Sequence, residues 1–537
     1  MRTSGSALRI RRDGRVHCRD QALSMDLRFR PGRPAHFVVF LLVTAVLLDV
    51  LPLFTANTYN LAGQLTGSTN PAGITKSNSY DANGNLVQVS YPDQTTTYGY
   101  NALNEQTSMT GSAGTGTTGT GSTGTATTTS YDAAGNVTGV AGPQGTLSYT
   151  YNGSNQRLSM TQPQGTVTYG YNNAGQLSQV TDWTGAVTRI GYTPDGLQQT
   201  LTLGNGVRVT SGYDGADRLT SITATSPGGA VLASYAYTLD AAGNRTSVTS
   251  AAGTQTYTLD ALNRVTGVTY PGLPSVSYTY DAAGNRTART VAGSSPVAYY
   301  TYNPAGQLIQ AGSTTYTYDA AGNRTSVVGA GGTGSATYGY NDAGQMTSVT
   351  SGGATTTYGY SGNGERVSSS AGGVTTPYLY DSQQGGVTPQ LVASGTTGYV
   401  SAGNALVAEV SGGGSLYPVQ DALGSVRALT GSGGTVTGTT GYSIFGAVIS
   451  QSGTQGALGF TGQQSSAGGL VYLNARTLDP ATGQFMAADT VQPNAPGTQG
   501  YNLYAYAANN PTTQRPNDQY RSQWAWGGVP GIYISDC

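Results

Sequence analysis

The 537 residues include 80 Gly and 38 Tyr, yet only 9% are charged and the formal net charge is −1. The two histidines, His17 and His36, precede the first apolar segment, Lys76 is the only lysine, and Cys18 and Cys537 are the only cysteines. That leaves no downstream imidazole for a general base or metal, no disulfide framework and no cysteine-ligated zinc, and no Walker loop, EF-hand, HExxH or Gly-Gly-x-Gly-x-Asp repeat is present. The chain is therefore expected to be no enzyme and to need no cofactor or metal.

The front end, residues 1–56, is a basic leader followed by an apolar stretch. Residues 1–36 hold nine arginines against Asp13, Asp20 and Asp26. The 12-residue apolar core from Phe37 to Leu48 is followed by Asp49 and Pro52. That length suits the core of an export signal better than a spanning helix, which needs about 20 apolar residues. Cleavage near Ala56 would start the mature chain at Asn57, although Phe54 stands where a small residue is expected. An uncleaved membrane anchor through residues 37–54 is the alternative, and Met25 makes a better start than Met1. Beyond residue 36 the chain holds 15 basic and 22 acidic residues, with no basic stripe, so nucleic acid is not an expected partner.

Residues 57–382 repeat. "YTYDAAGNRT" occurs at Tyr278–Thr287 and again at Tyr316–Thr325, and near-copies recur mostly every 20 to 22 residues from Tyr59 to Tyr380. One longer step holds "GSAGTGTTGTGSTGTATTTS", which reads as an inserted flexible loop. Within a copy, Val276, Tyr278 and Tyr280 alternate with Ser275, Ser277 and Thr279, the period of a half-buried strand. Asp281 opens a turn that Gly284 closes. A second strand follows, as in "NLVQVSY" with Val87, Val89 and Tyr91 on one face. The unit is a β-hairpin, and one hairpin buries too little to stand alone. Neighbouring copies must share a sheet, so the fold is expected to be all-β: a long antiparallel array that coils to hide its edges.

Several residues invite a functional interpretation. The repeated Asp81, Asp132, Asp240, Asp281 and Asp319 could be glycosidase acids, but each holds the same turn position, where a cap is the simpler role. Arg245, Arg286 and Arg324 lie five residues on, where a local Asp–Arg contact is expected, with ligand recognition as the alternative. The tyrosine rows could stack on glycan, but alternation puts them with valine on the inner, packed face. Asp479 and Asp489 lie ten residues apart near the C-terminal end.

Residues 383–511 carry other landmarks: "YPVQDALGSVRALTGSGGTV", "YSIFG", "FTGQQ", "GGLVYLNARTLDPATGQFMAAD" and "YNLYAYAANNP". With the YDxxGNR repeats before them, these resemble the Rhs family of bacterial envelope proteins and its repeat-associated core domain. The resemblance implies a β-ribbon wound into a hollow shell closed by the core domain. It also implies a variable C-terminal toxin enclosed by that shell and released by self-cleavage, as in polymorphic toxins and the Tc toxin cocoon, with teneurins carrying a related shell. Two departures stand out. Residues 512–537, "TTQRPNDQYRSQWAWGGVPGIYISDC", lack the family's Asp-Pro-x-Gly-Leu cleavage motif, and Asp489, the weak self-cleavage candidate, has lost its flanking prolines. Residues from Thr512 onward are expected to pack poorly against the shell.

The expected function is an exported structural or encapsulating shell of the bacterial envelope, secreted or at the cell surface, without a working C-terminal effector. Its own C-terminal cargo and envelope components are the expected partners. The alternatives are a truncated self-cleaving toxin carrier and a glycan-binding surface adhesin.

Overall fold

The computed structural model describes residues 8–10, 16–18, 55–113, 125–294, 297–383, 389–489 and 502–513. The apolar segment 37–54 and the tail from 514 lie outside the described residues, and with them the signal-or-anchor expectation. Among the described residues no helix is long and apolar enough to cross a membrane.

Hairpins dominate, as the alternation requires. In the strand Leu273–Tyr280, Val276 and Tyr278 are buried while Ser275, Ser277 and Thr279 face solvent. Gly145–Tyr151 repeats this with Leu147 and Tyr149 inward. The exposed face is lined by hydroxyls that bond across strands, such as Thr279 with Thr287 and Thr249 with Thr254. At one edge of the sheet the turn opened by Asp281 closes through the Gly284 N–H to the Asp281 carbonyl, 3.2 Å, with Gly284 at φ +84°. At the other edge the turns are tight, with Gly352 and Gly353 both at positive φ between Ser351 and Ala354.

Each strand pairs with the next, so 38 strands from Ala56–Tyr59 to Val448–Gly453 form one antiparallel ribbon. It is an open ribbon: Ala56–Tyr59 pairs with Leu65–Thr69, Val448–Gly453 pairs with Val436–Tyr442, and these two end strands do not pair with each other. The inserted loop leaves the register intact, since Gln106–Ala113 pairs directly with Thr125–Tyr131. Pairing also runs on past residue 382, with Tyr378 opposite Ser394 and Glu409 opposite Leu416.

A second ladder ties repeat to repeat. In many repeats the tyrosine that ends the first strand donates its hydroxyl to a carbonyl just past the preceding turn. Tyr100 reaches Leu86 at 2.9 Å, Tyr171 reaches Arg157 at 2.9 Å, and Tyr280 reaches Val265 at 2.7 Å. Tyr131 makes the same bond to Gln106 across the inserted loop.

The ribbon coils until it meets itself. Asp342 N–H donates to Asp93, 249 residues away, and Tyr98 to the Gly362 carbonyl, 264 away. Farther along, Gln164 meets Gly395 at a separation of 231, Ala422 meets Tyr237 at 185 and Ile444 meets Tyr270 at 174. The circuit shortens, so the coil tapers toward its C-terminal end. The main apolar core lies where its turns meet, joining Leu147, Val167 and Val207 to Val392, Val407 and Val419.

Candidate functional site

Past the ribbon, the chain folds into a small sheet of Gln464–Ser466, Leu470–Leu473, Arg476–Asp479 and Gln484–Phe485. This strap lies on the buried face of the ribbon. A row of arginines receives it, each lying over the tyrosine eight residues before it: Arg245 over Tyr237, Arg286 over Tyr278, Arg324 over Tyr316 and Arg366 over Tyr358, with guanidinium-to-ring distances of 4.5 to 4.7 Å. The hairpin explains the spacing. The arginine opens the second strand opposite the residue that ends the first, as Arg286 opposite Tyr280, so the tyrosine two residues earlier is its diagonal neighbour on the buried face.

The strap meets these arginines in reverse chain order. Arg366 donates to Ser466 at 2.6 Å and Gln464 at 2.8 Å. Arg324 pairs with Asp479 at 2.7 Å, and Arg286 donates to the Thr482 carbonyl at 2.6 Å. Arg245 donates to the Thr512 carbonyl. Tyrosines and asparagines add to the seam: Ala467 N–H donates to Tyr358, Tyr504 donates to the Gly322 carbonyl, Asn509 to the Gly284 carbonyl and Asn510 to Asn244. Burial pushes the phenols of Tyr340 and Tyr472 well above the ordinary tyrosine range, so they stay neutral beside the guanidinium groups.

This corrects the expected local Asp–Arg contact. Asp281 takes the N–H groups of Ala283 and Asn285 on one oxygen and the Asn285 amide on the other. Asp81, Asp132, Asp240 and Asp319 likewise bond the asparagine four residues on. With its carboxylate filled by that asparagine, the aspartate leaves the next residue, the arginine, free to turn inward. Among the described residues, local Asp–Arg pairs form where arginine itself stands four residues on, in Asp214–Arg218 and Asp260–Arg264, and more loosely, at 3.8 Å, between Asp421 and Arg427.

Asp479 and Asp489 are each held by a different arginine. Asp479 also accepts from Thr482 and the Ala481 N–H, while Asp489 pairs with Arg476 at 2.9 Å, whose guanidinium lies over Phe485. Thr512 corrects a second expectation: it is 3% exposed, and Thr513 accepts the Arg245 N–H at 3.1 Å. Packing therefore extends at least two residues past Pro511. The repeat tyrosines Tyr149, Tyr237, Tyr278, Tyr316 and Tyr358 are all buried, so these five pack inward as the alternation implies.

Two residues of this machinery are hard to find by sequence inspection. Arg157 lies over Tyr149 like the others but pairs with Asp381, 224 residues away in the next turn of the coil. Arg366 is concealed because Ser361 replaces the turn aspartate. The spacing of tyrosine and arginine by eight residues is the signal that identifies both.

The chain matches the Teneurin YD-shell family over residues 241–512, just over half its length, and RHS repeats over residues 59–96, 80–115 and 151–187. No curated protein matches it. Among solved structures, the TcdB2-TccC3-TEV complex is similar with a TM-score of 0.70 at 17% identity, covering 86% of this chain and 27% of that one. The TcdB2-TccC3-Cdc42 complex is similar with a TM-score of 0.66 at 16% identity, covering 88% and 29%. The Photorhabdus luminescens Tc holotoxin pore is similar with a TM-score of 0.60 at 16% identity, covering 90% and 30%. This chain thus spans under a third of the length of those solved chains. Paired hairpins, a coil that meets itself and a C-terminal block seated on its buried face agree with the family match, and the chain belongs to the YD-shell family of Rhs-repeat proteins.

Proposed function

We propose that the protein is a structural, non-catalytic shell: the ribbon forms the wall, and the strap on the arginine–tyrosine row locks its narrow end around an enclosed polypeptide. The burial of Thr512 against Arg245, beside the buried Tyr237 and with Thr513 accepting the Arg245 N–H, carries this proposal. The partner it implies is the chain's own C-terminal segment, and the likeness to the TcdB2-TccC3 complexes supports a shell that holds a polypeptide. Tryptic cleavage after Arg521 in the native full chain is the test. Protection there until the shell itself unfolds is expected; cleavage at the rate of a free peptide, with the ribbon intact, would overturn the proposal.

Export through the leader belongs to the same proposal, with secreted protein starting near Asn57 as the expected N-terminal sequence; full-length product in the membrane would favour the anchor. No self-cleavage is proposed. With Asp489 engaged by Arg476 and no Asp-Pro-x-Gly-Leu after Pro511, intact mass should stay constant on long incubation. A fragment ending shortly after Pro511 and abolished by Asp489→Asn would restore the toxin-carrier alternative.

A further inference from the structure

Glu409 lies in the strand Ala405–Ser411 and is only 6% exposed. Its Oε1 has no hydrogen-bond partner, and no cation pairs with it among the described residues. Its cross-strand neighbours are Tyr399 and Leu416. Above it runs the chain that leaves the ribbon for the strap: a Cβ on Gly456 would fall 2.5 Å from Oε1 and 2.9 Å from Oε2. Any larger residue there would have to push the carboxylate aside. Leu458 packs beside it with Leu391, Tyr399 and Leu406, and with Tyr378 and Tyr380 at the margin.

An ionised carboxylate enclosed in such a cluster without a partner is strongly unfavourable, whereas the neutral acid is tolerated. We propose that Glu409 is a proton-operated catch at the root of the strap: as the neutral acid it lets Gly456 and Leu458 seat on the ribbon, and as the carboxylate it draws water and unseats them. It rests on the strap being the closure of the coil.

Burial pushes the Glu409 carboxyl up to about 7, above the ordinary glutamate value of about 4.3. A raised acid favours the seated form at low pH. The seated form keeps a proton that the open form releases, so seating is strongest below about pH 4.5 and weakens as pH rises to about 7. Among the described residues the titratable groups packed around Glu409 are phenols. The strand Thr397–Ala402 contributes Tyr399 and the strand Val374–Asp381 contributes Tyr380, both phenols pushed upward by burial first. Tyr378 is the remaining phenol of the cluster. The strand Gly414–Gln420 offers only Tyr417, whose ring lies against Gly204, and residues 454–459 carry no titratable side chain.

Hydrogen exchange of the full chain, read over residues 454–466 and corrected for intrinsic rates, tests the catch. Between about pH 5 and about pH 8 the wild type should lose roughly 10- to 100-fold of its protection there, while Glu409→Gln and Glu409→Leu should stay flat. A flat wild type, or a Glu409→Gln variant with the wild-type slope, would overturn the catch. Loosening of residues 454–466 in a chain whose Arg521 is cleaved freely at every pH would uphold the catch and remove the encapsulating function instead.

Discussion

At the scale of single residues, the turns obey a donor–acceptor rule. In seven turns that open with Asp, the residue four on is a donor: Asn85, Asn136, Arg218, Asn244, Arg264, Asn285 or Asn323. In others that open with Asn, that residue is an acceptor: Asn152 donates to Gln156, Asn172 to Gln176, Asn341 to Gln345 and Asn101 to Glu105. Asp182 with Ala186 and Asn70 with Ile74 stand outside the rule. An Asp oxygen needs an N–H and an Asn amide needs an oxygen, so the two positions change together. Asn152→Asp should therefore lower the thermal midpoint, and adding Gln156→Asn should recover it; additive losses would show that the pair is uncoupled. The same bonds set the acid limit. Hydrogen bonds from Asn85, Asn136, Arg218 and Asn244, together with backbone N–H groups, hold Asp81, Asp132, Asp214 and Asp240 below the usual carboxylate range. A depressed carboxylate stabilises the fold above its unfolded value and loses that contribution as pH falls through its folded one. Acid titration followed by circular dichroism should show loss of strand signal starting below about pH 4.

At the scale of elements, strands and turns were legible because their causes are local. Alternation of Val276 and Tyr278 with Ser and Thr names the buried face, and Asp281 and Gly284 name the turn. The destination of an arginine was not legible. Arg286 reaches Thr482 from 196 residues away, and Arg324 reaches Asp479 from 155, distances at which hydrophobic period says nothing. Asp489 could be placed by motif but not given its partner, since Arg476 lies on a strand of the strap and Asp489 past its last strand. Even so, the identity of the arginines matters for strap seating. Arg324→Ala would leave Asp479, 14% exposed, with only Thr482 and the Ala481 N–H. Breaking a buried pair from one side costs about 3–5 kcal/mol. The strap should then exchange hydrogen faster over residues 470–489 while the hairpins before Tyr237 keep their protection. Uniform loss along the ribbon would instead mean that strap and wall unfold as one.

At the scale of the whole molecule, a ribbon of nearest-neighbour hairpins has no intrinsic reason to unfold all at once. Cooperativity has to come from contacts between turns of the coil, and one deeply buried contact of this kind is polar. Asp381 is 1% exposed; it pairs with Arg157 and accepts from the Tyr149 hydroxyl at 3.0 Å and from the Gln383 N–H at 2.9 Å. It occupies the repeat's aspartate position, but "YDSQQGG" has no glycine three residues on to complete the usual turn. The carboxylate that would cap a hairpin here ties one circuit to the next. Asp381→Ala should strand the Arg157 cation in the interior and cost about 3–5 kcal/mol. Adding Arg157→Met removes the stranded charge and should restore part of the loss, because an apolar side chain of similar length fits beside Tyr149 and Val167 better than an unpaired guanidinium. Asp381→Asn, which keeps an acceptor for Tyr149, should fall between wild type and Asp381→Ala. Equilibrium denaturation reads both parts of this expectation. The midpoint should drop for Asp381→Ala, and the transition should broaden as the two circuits lose their coupling. A variant that unfolds at the wild-type midpoint with the wild-type slope would show that the apolar seam of Leu147, Val167 and Val407 is sufficient to hold the circuits together, and that the buried pair adds nothing to the shell.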